Sequence, residues 1–172
     1  MTAGAFDTRR AARLNAVQAI YQMELTGEDA ETVALEFVEH RLGREPEIGG
    51  GDADAEFFGA IVRGVPHHQV EIDRSIARVL AADWRLERVD SILRAILRAA
   101  AFEFIGRPDV PARVVISEYV DLADAFYGEK ETGLVNGVLD KLARELRPAE
   151  LAVPHGSGPN GSTKAGPGTA TG

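Results

Sequence analysis

The chain has 172 residues, 27 acidic and 19 basic for a formal net charge of −8, with 45% hydrophobic residues and no cysteine. That length predicts one domain of about 150 residues plus a tail, and the missing cysteines exclude a disulfide framework, a thiolate metal site and a cysteine nucleophile. No apolar run approaches the ~18 residues of a membrane span, and MTAGAFDTRR carries no signal-peptide core, so the expected setting is the cytoplasm with no membrane partner.

The negative charge is unevenly placed. Residues 28–58 hold ten acids against Arg41 and Arg44 alone, so this stretch accounts for the whole net charge. The plain reading of it is a solvated helix and loop. Because affinity for a polyanion depends on where cations cluster, overall acidity does not exclude a nucleic-acid site.

Helical patterns fill the chain from its start. Residues 8–26 predict a first helix, with Asp7 or Thr8 as N-cap and Gly27 as its stop. Residues 29–42 predict a second, capped by Asp29, with Val33, Ala34, Phe37, Val38 and Leu42 at helical spacing. GREPEIGGGD (43–52) reads as a loop, after which Asp52 or Asp54 opens a third helix towards Leu80. Pro66 must kink or break that helix, since proline lacks an N–H and clashes with the preceding turn. LERVDSILRAILRAAAFEFI (86–105) is the most apolar helix and is expected at the centre of the second half. Gly106, Pro108 and Pro111 then form a turn, with Pro111 expected at the first position of the next helix. Helices over 111–127 and 131–146 complete an all-α fold, separated by Gly128. PHGSGPNGSTKAGPGTATG (154–172) has no large apolar side chain with which to offset its ordering entropy, so it is expected to be a disordered tail.

Little here points to catalysis. His67, His68 and Glu71 are close in sequence, but a tight metal site needs three or four convergent ligands and no HExxH or second cluster is present. There is no GxSxG, P-loop or GxGxxG, and Asp121 with Asp124 reads as the wet face of an amphipathic helix. No enzyme, cofactor or metal is expected.

The first helix raises a question of sign. Arg9, Arg10 and Arg13 crowd its expected start, where cations oppose the macrodipole at roughly 0.3–1 kcal/mol each. At 100° per residue they lie on the same side as the apolar stripe of Val17, Ile20 and Tyr21, one or two turns earlier. One reading is a solvated helix end. The other is a helix that protrudes beyond the core and presents three guanidiniums for bidentate phosphate contact.

Four stretches, in order, carry a resemblance: RRAARLNAVQAIYQMEL (9–25), ILRAILRAAAFEF (92–104), RPDVPARVVISEYVDLADAFYG (107–128) and GLVNGVLDKLARELRP (133–148). Together they resemble the NusB family of bacterial transcription antitermination factors, the DVP turn and VNGVLDKLA being the most specific parts. Residues 28–82 match only in pattern. The resemblance implies six to seven helices in two roughly perpendicular three-helix units, about 8–82 and 83–148, within one domain over 1–149; it does not extend to the tail, which the change of composition places at 150–172. It implies binding of boxA-type leader RNA together with the small-subunit ribosomal protein NusE, in a complex with other Nus factors and RNA polymerase that suppresses premature termination, notably in ribosomal RNA synthesis. The family's arginine-rich motif maps onto Arg9, Arg10 and Arg13, which the resemblance makes RNA-binding.

The sequence departs from the family pattern in two places. The turn before VNG reads GEKETGLVNG, with Lys130 where an acid is usual and Gly133-Leu134 in place of a basic-aromatic pair. Leu134 cannot stack on a base, a contact worth about 1–3 kcal/mol; Lys130 offers one phosphate contact instead. Leu93 also stands where the family is often acidic. Asn136 reads as structural, bonding a neighbouring backbone while Gly137 allows close helix approach, and Arg98 and Glu118 read as internal ion-pair material. A NusB-like domain also heads some rRNA cytosine methyltransferases, but no cofactor-binding α/β domain fits within this chain; a helical scaffold without RNA affinity is the remaining alternative.

Overall fold

The computed structural model describes residues 3–42 and 53–151. The expected loop over 43–52, with Asp52 as an alternative cap, and the expected tail from 154 onward lie outside the described residues.

The regular elements among the described residues are all helical, with no strand among them. Helix α1 spans Ala3–Thr26 and ends at Gly27, whose φ of +74° suits a residue without Cβ. It starts five residues before Thr8, so neither Asp7 nor Thr8 is its cap. Arg9 consequently stands in its second turn, beyond the first turn in which the dipole cost is felt. Ala11, Ala12, Ala16 and Ala19 are buried along α1 and allow close packing by its neighbours.

Helix α2, Ala30–His40, begins where Asp29 accepts a hydrogen bond from the Thr32 N–H, and α3, Ala55–His67, where Asp54 accepts one from Phe57. Pro66 ends α3 within one residue, and α4 resumes over Gln69–Val79. The helix expected to begin at Leu86 does not start there. Leu86–Arg88 is a 3-10 turn, Val89 is extended, and α5 runs Ser91–Gly106 with Asp90 accepting from the Ile92 and Leu93 N–H groups. Asp90 is thus a cap rather than an exposed helical position. Helix α6 is Ala112–Phe126, with Pro111 as its N-cap residue rather than its first helical one, and α7 is Glu129–Leu146. A single turn, α8, spans Pro148–Leu151.

Helix α5 is buried on every side, through Leu93, Ala95, Ile96, Leu97, Ala99, Ala100, Ala101, Phe102 and Phe104. It packs against α1, α3, α4, α6 and α7 and is therefore central to the whole molecule, not to its second half alone. Carbonyls of its last turn and of the turn that follows are collected by one side chain: Arg147 donates to Glu103 and Phe104 of α5 and to Arg107 and Val110 beyond it, at 2.8–3.1 Å. Arg94 does the same for the preceding turn, donating to Leu86 and Val89.

Candidate nucleic-acid interface

Helix α1 lays its arginines between α3 and α6, and the three have different fates. Arg13 is inside the protein, its side chain 2% exposed. Its Nε and Nη2 donate to the two carboxylate oxygens of Glu103 on α5, each at 2.9 Å, and its Nη1 lies 3.9 Å from Glu118. Hydrogen bonds to Glu103 outweigh the burial that would lower its pKa and leave the guanidinium more firmly charged. The expectation of three presented guanidiniums is therefore corrected: α1 does not protrude there, and Arg13 cannot meet phosphate without leaving Glu103 buried and unpaired.

Arg10 is half exposed. Its Nε donates to Glu118 at 3.0 Å and its Nη2 to Asp121 at 2.9 Å, and the hydrogen bond to Glu118 chiefly raises its pKa. Arg9 is partly exposed and lies 3.9 Å from Asp54 and 3.7 Å from Asp109, beyond hydrogen-bond length. Its guanidinium rests 4.6 Å from the centroid of Phe57. Arg13 and Arg107 approach the same ring at 4.8 and 5.0 Å, so Phe57 gathers three cations. Arg107 was not among the sequence candidates; it pairs with Asp109 and Glu56. It stands in the RPDVP turn, which was read through Gly106, Pro108, Pro111 and the family motif rather than through its arginine.

Lys130, on the first turn of α7, is exposed but far from this group. Its Nζ lies 5.9 Å from the centroid of Trp84, which lines a cleft together with Glu24 near the end of α1. Arg10 and Glu24 are 14 residues apart, about 21 Å along the helix. The structure brings Arg9 and Arg10 together at one end and leaves Lys130 towards the other.

The remaining expectations divide. Arg98 pairs with Asp73 at 2.9 and 3.0 Å and with Glu24 at 3.2 Å, and Glu118 is buried between Arg10 and Arg13, as internal ion pairs should be. Asn136 is instead exposed on α7, and a Cβ on Gly137 would meet nothing within 4 Å, so neither residue mediates a close helix contact. His68 faces Glu71 at 3.7 Å and His67 edge-on; no group of three metal-ligating side chains occurs among the described residues.

An apolar groove continues from Arg10. Leu14 on α1 and Leu122, Ala125 and Phe126 on α6 line a cavity of about 280 Å³, and Phe126 is shared with a neighbouring cavity of about 370 Å³ lined by Val17, Tyr21, Leu25 and Ile92. Leu25 is 62% and Phe126 43% exposed, which is unusual for large apolar side chains side by side. No described helix is long and apolar enough to cross a membrane.

The NusB family model matches residues 10–144. The chain belongs to the NusB family. Among curated members, the transcription antitermination protein NusB of Caulobacter vibrioides is 47% identical over 151 residues, covering 86% of this chain and 99% of the relative. That of Nitrobacter hamburgensis is 51% identical over 148 residues, covering 84% and 91%. Among solved structures, T. maritima NusB is 32% identical with a TM-score of 0.67, covering 80% of this chain and 91% of that one. A complex of the antitermination factors NusB and NusE with double-stranded RNA is 25% identical with a TM-score of 0.62, covering 80% and 97%. The all-helical NusB fold thus holds for this chain.

Proposed function

We propose that this member of a family of transcription antitermination proteins binds boxA-type leader RNA jointly with the small-subunit ribosomal protein NusE, within an assembly of other Nus factors and RNA polymerase, and so suppresses premature termination during ribosomal RNA synthesis. The observation that carries the reading is the juxtaposition at α1 of accessible arginines with an exposed apolar groove: Arg10 lines the start of the groove that continues to Leu25 and Phe126, and Arg9 stands beside it on the α3 side. The arginines offer contacts to phosphate, and the groove offers an apolar seat for a protein partner.

Arg9 is the first phosphate contact. Its present carboxylate neighbours hold it at 3.7–3.9 Å, and such exposed pairs are worth about 0–1 kcal/mol, so an RNA phosphate replaces them at little cost. Arg10 gives up a better hydrogen-bonded arrangement and follows second. Lys130 adds a separate contact, and Arg13 positions α1 rather than touching RNA. NusE sits on the α1–α6 groove.

A gel shift with a boxA-like RNA, with and without NusE, tests both partners at once. Retardation by the chain, strengthened by NusE, is expected. Binding of NusE that persists in Phe126→Asp would remove the groove from the reading, and absence of any shift with both proteins would remove the RNA.

A further inference from the structure

We propose that Trp84 is a stacking platform for one unpaired base of the bound RNA, in a second contact site at the end of the molecule away from Arg9 and Arg10. The inference rests on the RNA-binding reading above and places a base where no aromatic is offered by the turn before VNG.

Trp84 lies on the short link between α4 and the 3-10 turn, and it is the only tryptophan in the chain. Its ring is half-buried and forms part of a cleft of about 590 Å³. That volume falls in the range of sites that hold small ligands. The cleft is polar yet charge-balanced in its interior. Arg94 is committed to Glu24 and to the carbonyls of Leu86 and Val89, and Arg98 to Asp73 and Glu24, so neither is available to a phosphate. A flat, uncharged group carrying both donors and acceptors fits such a lining better than an anion does.

The cations suited to the backbone of that nucleotide are on the outside: Arg85 is exposed and lines the cleft, and exposed Lys130 holds its Nζ 5.9 Å from the indole centroid. An aromatic face with a basic flank is the arrangement by which single-stranded nucleic acid is held without sequence readout. The ~21 Å along α1 from Arg10 to Glu24 is about six nucleotides at the ~3.4 Å rise of a stacked strand and fewer for an extended one, so one short single strand can reach both ends.

Because the chain has a single tryptophan, its emission reports this site alone. The full chain is titrated with an end-labelled boxA-like RNA, following label anisotropy and tryptophan emission together. Saturable quenching with the same midpoint as the anisotropy is expected. Trp84→Leu, which keeps an apolar side chain but no stacking face, should weaken binding roughly fivefold to a hundredfold, and Trp84→Phe should recover most of that affinity. If the anisotropy rises while the emission of the parent protein stays constant, no base rests on Trp84, and the RNA-binding reading survives without this site. If neither signal changes even after NusE is added, the RNA-binding reading fails and takes the site with it. Should Trp84→Leu melt at the binding temperature, the emission of the parent protein decides between these outcomes.

Discussion

Arg9 and Arg13 differ by only 40° in helical phase, yet one is available at the surface and the other is sealed in the core. The cause is not on α1 but across from it. Glu103 is fully buried in the last turn of α5 and cannot stay charged there without a partner. Only part of that requirement was read from the sequence: Glu118 stood out as internal ion-pair material, whereas Glu103, inside LRAAAFEF, makes the same demand and was not singled out; Arg13 and Arg10 meet it. What the sequence left open was which arginine each acid would take, because that depends on how α1 lies across α5 and α6. The consequence is a split in behaviour. Arg13→Gln should lower stability by about 3–5 kcal/mol, the cost of orphaning a buried charge, whereas Arg9→Gln should stay within about 0.5 kcal/mol of the parent. Urea denaturation of the two variants checks this; equal midpoints would mean that the Arg13–Glu103 pair does not hold α1 in place.

At the scale of elements, the caps Asp29 and Asp54, the break after Pro66 and the stop at Gly27 were readable because each acts through the residues next to it. The true start of α5 was not, because Val89 is apolar and buried whether the backbone is helical or extended, and only the backbone of Asp90 decides. Nor did the sequence reveal why Gly64 is a glycine. A Cβ there would stand 2.1 Å from the Phe102 ring, so α3 crosses α5 with no room for a side chain, while Phe102 is also hemmed in by Gly106 of its own helix. Gly64→Ala should therefore cost about 1–3 kcal/mol despite alanine's better helix propensity. For a protein of this size that is a fall of roughly 3–10 °C in melting temperature. A melting temperature at or above that of the parent would show that the two helices separate without penalty.

At the scale of the whole molecule, ion pairs tie the helices together around α5, and they give stability a definite dependence on pH. The Arg94 guanidinium holds the Glu24 carboxyl below its ordinary 4.5, Tyr127 and backbone N–H groups hold Asp90 below 3.8, and Arg107 does the same for Asp109. A carboxyl depressed in the folded state stabilises it above the unfolded value and loses that contribution as the pH falls through the folded one. Melting temperature should thus be level from pH 7 to about 5.5 and decline below about 4.5; a rise on acidification would contradict these pairs.

Sequence alone conveyed only part of the proposed interface. The arginine cluster was visible in one short stretch, but the α1–α6 groove was not, since Leu14, Tyr21 and Leu25 read as ordinary core positions until the packing leaves Leu25 and Phe126 uncovered. Phe126→Asp should leave melting unchanged within about 0.5 kcal/mol and abolish NusE capture, as a pull-down with the purified ribosomal protein would register.

The claim that one end of α1 meets RNA phosphate is tested most directly by the salt dependence of binding. Parent protein and the Arg9→Gln, Arg10→Gln double variant, confirmed as folded by circular dichroism, are titrated with boxA-like RNA and NusE at several salt concentrations. The double variant should bind more weakly, and the slope of log affinity against log salt should become shallower by about 0.7 for each phosphate that is no longer neutralised, up to about 1.4. Identical affinity and identical slope would contradict the placement of the interface on Arg9 and Arg10.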